Sequence, residues 1–285
     1  MSNIVISILV VLYNTPIRDS STIKSIVKSV FELKNRNASY NLLLWDNSLT
    51  SSSEDVVRSL CNEMLNHGVY TSYKHCPENK PLSEVYNNFI FTYKDASDYL
   101  MIFDQDSSFN SKFFNSVDDV LRIHRPDLLL PIIKHNKHIV SPSKIYYIKG
   151  RYFKSPPYGN ISSKYLSAIN SGMVIASCYL SRTEFKYDNR LKNYCTDDYF
   201  MRKFRKNKGV AFVLDYFFEH DLSLSTLNEN STDLKRRYNE LINGREIVYS
   251  ENYMEWMLVK VYFYFHRVYM TLRYKDLSYL RGESV

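Results

Sequence analysis

Tyr99-Leu-Met-Ile-Phe-Asp104-Gln105-Asp106-Ser107 is the stretch on which the reading of this chain turns. Its uncharged residues Tyr99–Phe103 have strand length and show no polar alternation, as expected of a strand covered on both faces. Two aspartates separated by one residue face the same way if the extended backbone persists through them. Mg²⁺ and Mn²⁺ require oxygen ligands and keep waters or substrate phosphates in their remaining positions. Acids so placed are suited to holding a metal–diphosphate. An Asp-x-Asp also recurs by chance, and Asp is common in turns, so the surroundings decide its weight.

Upstream, short apolar runs alternate with helical patterns. Ile4–Leu12 reads as a buried strand and Ser20–Leu33 as a helix. Tyr40–Trp45 is the next strand, closed by Asp46-Asn47-Ser48. Ser53–Asn66 is a second helix with Ser53 at its cap. Val69–Lys74 and Leu82–Tyr93 follow as strand and helix, leading to the strand at Tyr99. This order predicts βαβ units, a Rossmann-like and mostly parallel sheet, and ligands beyond the carboxyl ends of its strands. Asn14, Asp46 and Asp104–Asp106 all fall at such ends.

Downstream, Ile132–Tyr158 reads as two short strands with loops. Ala168–Ala176 reads as a strand with a close backbone approach at Gly172. A helix starts at Asp197, and Val210–Phe218 is a strand ending in Glu219-His220-Asp221. The expected organisation is a regular α/β part (1–110), a less regular part (111–225) and a helical C-terminal extension (226–285).

The 285 residues suffice for a full core, and 45% hydrophobic content with 7 glycines is globular rather than disordered. Cys61, Cys76, Cys178 and Cys195 form no CxxC pair, which argues against a zinc site or disulfide framework and for a cytoplasmic setting. The opening MSNIVISILVVLYN lacks a basic n-region and reads as a strand rather than a signal peptide. The net charge of +7 is concentrated. No Asp or Glu occurs from Leu128 to Thr183, which carries Lys134, Lys137, Lys144, Lys149, Arg151, Lys154, Lys164 and Arg182. Such a field attracts anions. No nucleic-acid motif accompanies it, so a phosphorylated small or lipid-linked substrate is the sharper reading and a solvated surface the plainer one.

Beyond these patterns, VVLYN (Val10–Asn14), WDNS (Trp45–Ser48), MIFDQDS (Met101–Ser107), NSGM (Asn170–Met173) and TDDYFMRKFRKNKG (Thr196–Gly209) resemble, in order, the motifs of family 2 inverting glycosyltransferases. The DQDS form is similar to bacterial rhamnosyltransferase-like members that build surface polysaccharide. The resemblance covers residues 4–222 and implies a GT-A fold with Mn²⁺ or Mg²⁺ as cofactor. It also implies that 1–110 is a nucleotide-sugar half and 111–225 an acceptor and catalytic half. Val11 and Tyr13 would line the nucleobase pocket, and Asp46 would bond the base. Asn79, Lys80 and Gln105 would join the nucleotide site. Asp104 would approach the ribose and the metal, with Asp106 the main metal ligand and His220 a further one. Ser171, Gly172 and Arg202 would meet the acceptor. Asp198, spaced correctly before Arg202, would be the catalytic base, with Asp197 the second candidate. The family's Glu-Trp is replaced here by Asp198-Tyr199. On the residues alone, Asp46 equally suits a turn cap, and the two acids suit a helix first turn.

The implied donor is an NDP-sugar, dTDP-L-rhamnose or a UDP-hexose, and the implied acceptor an undecaprenyl-diphosphate-linked oligosaccharide of O-antigen or capsule synthesis. Tyr253–Tyr274 mixes Trp256, Tyr262, Phe263, Phe265 and Tyr269 with Lys260, Arg267 and Arg273. That mixture suits either a helix lying at the inner-membrane cytoplasmic face or one packed on the catalytic domain.

Overall fold

In the computed structural model, which describes residues 3–33, 38–135, 138–146, 148–219 and 232–282, each apolar run of the first hundred residues becomes a strand. The order is β1 (Ile4–Leu12), α1 (Ser21–Glu32), β2 (Ala38–Asp46), α2 (Glu54–Asn66), β3 (Val69–His75), α3 (Leu82–Tyr93) and β4 (Tyr99–Asp104). Ser20 caps α1, its hydroxyl accepting from Ile23 N–H at 3.3 Å. Ser53 stands at the cap of α2 but makes no side-chain capping bond. The chain continues through α4 (Ser111–Ile123), β5 (Leu128–His135), β6 (His138–Ser141), β7 (Ser143–Tyr146), β8 (Lys149–Tyr152), β9 (Gly159–Ile161), β10 (Leu166–Ser167) and β11 (Met173–Ala176). It then forms α5 (Ser177–Arg182), α6 (Thr196–Lys206), β12 (Ala211–Glu219), α7 (Thr232–Tyr249), α8 (Tyr253–Tyr274) and α9 (Ser278–Arg281).

The main sheet of the described residues runs β3-β2-β1-β4-β11-β5-β12-β9, with β6 beside β5. β1 pairs in parallel with β2 and β4, β2 with β3, and β5 with β12. β11 is antiparallel to both β4 and β5, so those two point the same way. β1 to β5 and β12 therefore share one direction, and their carboxyl ends form one edge. Because β11 runs against them, the residues just before it, Ser171 and Gly172, arrive at that same edge.

Within Ala168–Ala176 only Met173–Ala176 is strand, and the residues before it form a loop and turn. Gly172 has φ +76°, and a Cβ there would stand 2.9 Å from Pro131 Cγ and 3.0 Å from Phe218 Cζ. Glycine is required on both counts. The Ile132–Tyr158 stretch contains the end of β5, β6, and the strands β7 and β8, which form a small separate sheet with β10 from further along the chain.

The principal core lies on the main sheet, with Phe103, Phe109, Phe113, Phe114 and Phe218 packed ring against ring at its centre. A second cluster joins Leu191 and Cys195, just ahead of α6, to Tyr238, Ile242, Val248 and Tyr249 of α7, with Val259 and Phe263 of α8 and Tyr279 of α9. The C-terminal helices therefore pack against the segment that leads into α6. At the same time the opposite side of α8 stays open, with Met254, Leu258, Phe265 and Leu272 all more than half exposed.

Candidate active site

Asp104 is the last residue of β4, and Gln105 and Asp106 form a turn immediately after it. The extended backbone that would have aimed both aspartates alike ends at the first of them. The turn is held from two sides instead. From α1, Thr22 donates its hydroxyl to Asp104 O and accepts from Ser107 N–H at 2.9 Å, while Ser20 Oγ–H donates to Gln105 O at 2.7 Å. From the end of β1, Tyr13 N–H donates to Gln105 Oε1 at 2.7 Å, and Gln105 Nε2–H donates back to Tyr13 O at 3.2 Å. The carboxamide of Gln105, expected at the nucleotide site, is engaged in fixing this loop.

Ser171 also departs from the acceptor role expected of it. It is fully buried, its hydroxyl donates to Asp104 Oδ2 at 3.0 Å, and it lies 2.8 Å from Ser107 Oγ. It is a support beneath Asp104. Gly172 is likewise buried, packed against Pro131 and Phe218. The neighbouring Asn170 donates from Nδ2 to Thr196 Oγ1 at 3.0 Å and to Tyr86 Oη at 3.5 Å. Asn170-Ser171 is therefore a strap from the acidic turn to the first residue of α6.

Asp197 and Asp198 follow Thr196 in that first turn, and Asp198 N–H donates to Asp197 Oδ1 at 2.8 Å. Burial, then the adjacent Asp198, push the Asp197 carboxyl up from its ordinary 3.8 to about 7. Asp104 adds to the same effect, as a neighbouring negative charge should. Asp198 is paired with Arg245 of α7, Nη2 to Oδ2 at 2.9 Å, with the two side chains 19% and 15% exposed. Tyr86 and Tyr187 lie beside these acids, their hydroxyls driven upward chiefly by burial. Tyr187 Oη, Asn170 Oδ1 and Arg245 Nη1 are buried without a hydrogen-bond partner among the described residues. Polar atoms left unmatched inside a protein need an explanation, and a ligand that completes them is one. None of Tyr86, Tyr187 or Arg245 was expected from the sequence, because a lone Tyr or Arg inside an amphipathic helix or a loop carries no local signature.

The remaining expected residues are dispersed. Val11 is buried and Tyr13 about half exposed at the end of β1. Asp46, expected to bond a nucleobase, is 1% exposed and occupied as a turn cap. Its Oδ1 accepts from Ser48 N–H at 2.9 Å and its Oδ2 from Tyr73 Oη–H at 2.6 Å. Asn79 is exposed with φ +49°, and Lys80 pairs with Glu84 at 2.5 Å. Arg202, expected to meet the acceptor, is paired with Glu255 and lies 4.5 Å over the Tyr249 ring. It lines a cavity of about 790 Å³ with Lys164, Arg205, Lys206 and Lys208, away from the acid pair toward the far end of α6. His220 lies outside the described residues.

Among the described residues no three metal-ligating side chains converge. Asp104 and Asp106 nonetheless suit a hard divalent ion, because Mg²⁺ and Mn²⁺ sites commonly use one or two carboxylates and take their other ligands from substrate phosphates.

No protein-family model and no curated protein matches this sequence. Solved structures do. S. aureus TarS 1-349 superposes with a TM-score of 0.54 at 14% identity, over 85% of this chain and 68% of TarS 1-349. The same protein in complex with UDP-GlcNAc gives 0.52 at 13% identity, over 85% and 70%. GalNAc-T7 with UDP, GalNAc and Mn²⁺ gives 0.56 at 12% identity, over 82% of this chain and 48% of that one. These neighbours are glycosyltransferases of the GT-A fold. The chain has the GT-A fold.

Proposed function

We propose that the protein is a metal-dependent inverting glycosyltransferase that moves a sugar from an NDP-sugar to an acceptor hydroxyl. The observation that carries this reading is the hydrogen-bonded path from Asp104 through Ser171 and Asn170 to Thr196. It holds an acidic turn suited to a diphosphate beside an acid pair suited to proton removal. In the transfer, the acceptor oxygen bonds to the anomeric carbon as the bond from that carbon to the diphosphate oxygen breaks. The acceptor proton passes to the carboxylate of Asp198, with Asp197 the alternative. A divalent ion held by Asp104 and Asp106, when bound, offsets the charge of the departing diphosphate. The turn residues Gln105, Thr22 and Ser171 keep those carboxylates in place.

The sequence resemblance favours rhamnose from dTDP-L-rhamnose, whereas the UDP in both neighbours supports a UDP-hexose. A lipid-linked oligosaccharide, as in O-antigen or capsule synthesis, is the acceptor we favour, and α8 is the support for it. Met254, Leu258, Val261, Phe265 and Leu272 recur at helical spacing on its open side. Glu255, Lys260, Arg267 and Arg273 fall off that stripe at about 3.6 residues per turn. An apolar stripe of this kind needs a cover, and a membrane surface is one that an amphipathic helix can take. No helix among the described residues is long and apolar enough to cross a membrane.

Thermal shift against UDP, dTDP, UDP-hexoses and dTDP-rhamnose, each with Mn²⁺ or Mg²⁺, identifies the donor, because a ligand of the folded state alone raises the transition by mass action. No shift with any of them overturns the donor reading. Flotation with anionic liposomes, lost when Phe265 and Leu272 become Ser, tests the membrane face.

A further inference from the structure

The acid pair has a partner with no role in the transfer just described. Gly244 brings α7 against the turn ahead of α6 so closely that a Cβ there would sit 3.0 Å from Cys195 Sγ and 3.1 Å from Tyr194 O. The next residue, Arg245, is thereby delivered to Asp198. Both side chains are largely buried, and the guanidinium spends only one of its two terminal amino groups on the carboxylate, leaving Nη1 buried without a partner. Two adjacent carboxylates in a low-dielectric site resist ionising together. A cation bonded to one side breaks that symmetry. Arg245 is ion-paired with Asp198 and acts on Asp197 only through space. Arg205 also faces Asp198 electrostatically, but its guanidinium donates to Leu166 O.

We propose that Arg245 is the positioning residue of the acid pair: it fixes Asp198 as the charged member, so that the C-terminal helices contribute directly to proton removal. The inference rests on the reading of the pair as the proton acceptor. It accounts for the division of labour between two neighbouring aspartates that spacing alone leaves ambiguous. The upward displacement of Asp197, caused first by burial and then by Asp198, agrees with a pair in which one member stays ionised and the other holds a proton more readily. Burial opposes the charge on Arg245, and Asp198, Cys195, Tyr249 and Asp197 outweigh it.

The test uses the full chain with Arg245→Gln and Arg245→Lys. Carboxyl ¹³C NMR, assigned with Asp197→Asn, follows Asp198 directly. The release of nucleoside diphosphate from whichever NDP-sugar stabilises the protein follows turnover. In R245Q the Asp198 titration is expected to move up by about one pH unit or more, and kcat to fall ~100-fold with KM for the donor little changed. R245K is expected to recover part of that loss. An Asp198 titration that does not move, or a wild-type kcat in folded R245Q, overturns the proposal. Should R245Q fail to fold, as removal of one partner of a buried pair can cause, R245K decides. Its amine loses charge near its ordinary pKa of about 10.4, and an Asp198 resonance that ignores that step overturns the proposal. Asp198→Asn separates the two ideas. Wild-type transfer in both D198N and D197N ends the reading of the pair as base, while the NMR arm still measures the Arg245–Asp198 coupling.

Discussion

The two acidic regions of the molecule are built on opposite plans. At the end of β4, Asp104 is held by neutral groups, a Ser171 hydroxyl and the loop fixed by Gln105 and Thr22. At the start of α6, Asp198 is held by a resident cation, Arg245, with Asp197, which has no ion pair among the described residues, beside it. Neutral support leaves negative charge to attract an incoming cation, whereas an ion pair has already spent it. Under the proposed function, the turn that would receive a metal and the pair that would take a proton thus differ in what is built in, even though both are made of aspartate.

Four measurements can break or sharpen that contrast. Asp198→Asn keeps the shape and removes the basicity, and it is expected to lower transfer ~1,000-fold, about 4 kcal/mol of barrier, in single-turnover assays with donor saturating. A loss below tenfold would shift the base role to Asp197. Gly172→Ala imposes a left-handed residue with a side chain on Pro131 and Phe218, at a cost of roughly 3 kcal/mol. Urea denaturation should show it, and a loss under about 0.5 kcal/mol would contradict the close approach described. The third concerns pH. Because the folded carboxyl of Asp197 is raised from 3.8 to about 7, the native state holds its proton over a range in which the unfolded chain has lost it. That contribution is complete below about pH 4 and lost as pH rises toward 7. Melting curves from pH 4 to 8 should therefore converge for wild type and D197N at the acid end, with D197N the more stable above neutrality. Parallel curves would refute the assignment. Ser171→Ala removes one neutral support and should weaken Mn²⁺ with nucleotide by about 1 kcal/mol, visible by calorimetry. A much larger loss would mean that the β4 site depends on Ser171 as heavily as the α6 site depends on its ion pair.

The strand ends were legible because buried parallel strands leave uninterrupted apolar runs such as Ile4–Leu12 and Tyr99–Phe103, and polar residues mark where each stops. That put Asp104 and Asp106 at the correct edge from pattern alone. What those residues do once there was less legible. Asp46 and Gln105 carry the residue types of a binding site, yet their atoms are consumed by Tyr73, Ser48 and Tyr13, partners remote in sequence that pattern cannot supply. Ser171 and Gly172 were singled out correctly as unusual, but β11 is too short and its reversed direction too non-local to reveal that they sit underneath the site. Arg245 left no trace because α7 is only weakly patterned, and one Arg among its charged residues looks like solvent-facing surface.

Gly244 makes the junction of α6 and α7 a matter of inheritance as well as packing. A related enzyme could not receive these C-terminal helices alone, because residue 245 carries half of an ion pair whose other half is residue 198, and residue 244 must be small enough to let it arrive. A chimera that exchanges the tail without the turn at Cys195 would join two well-folded pieces and strand a charge between them. Substitutions at 195, 198, 244 and 245 should therefore travel as a set wherever this arrangement is engineered or rebuilt.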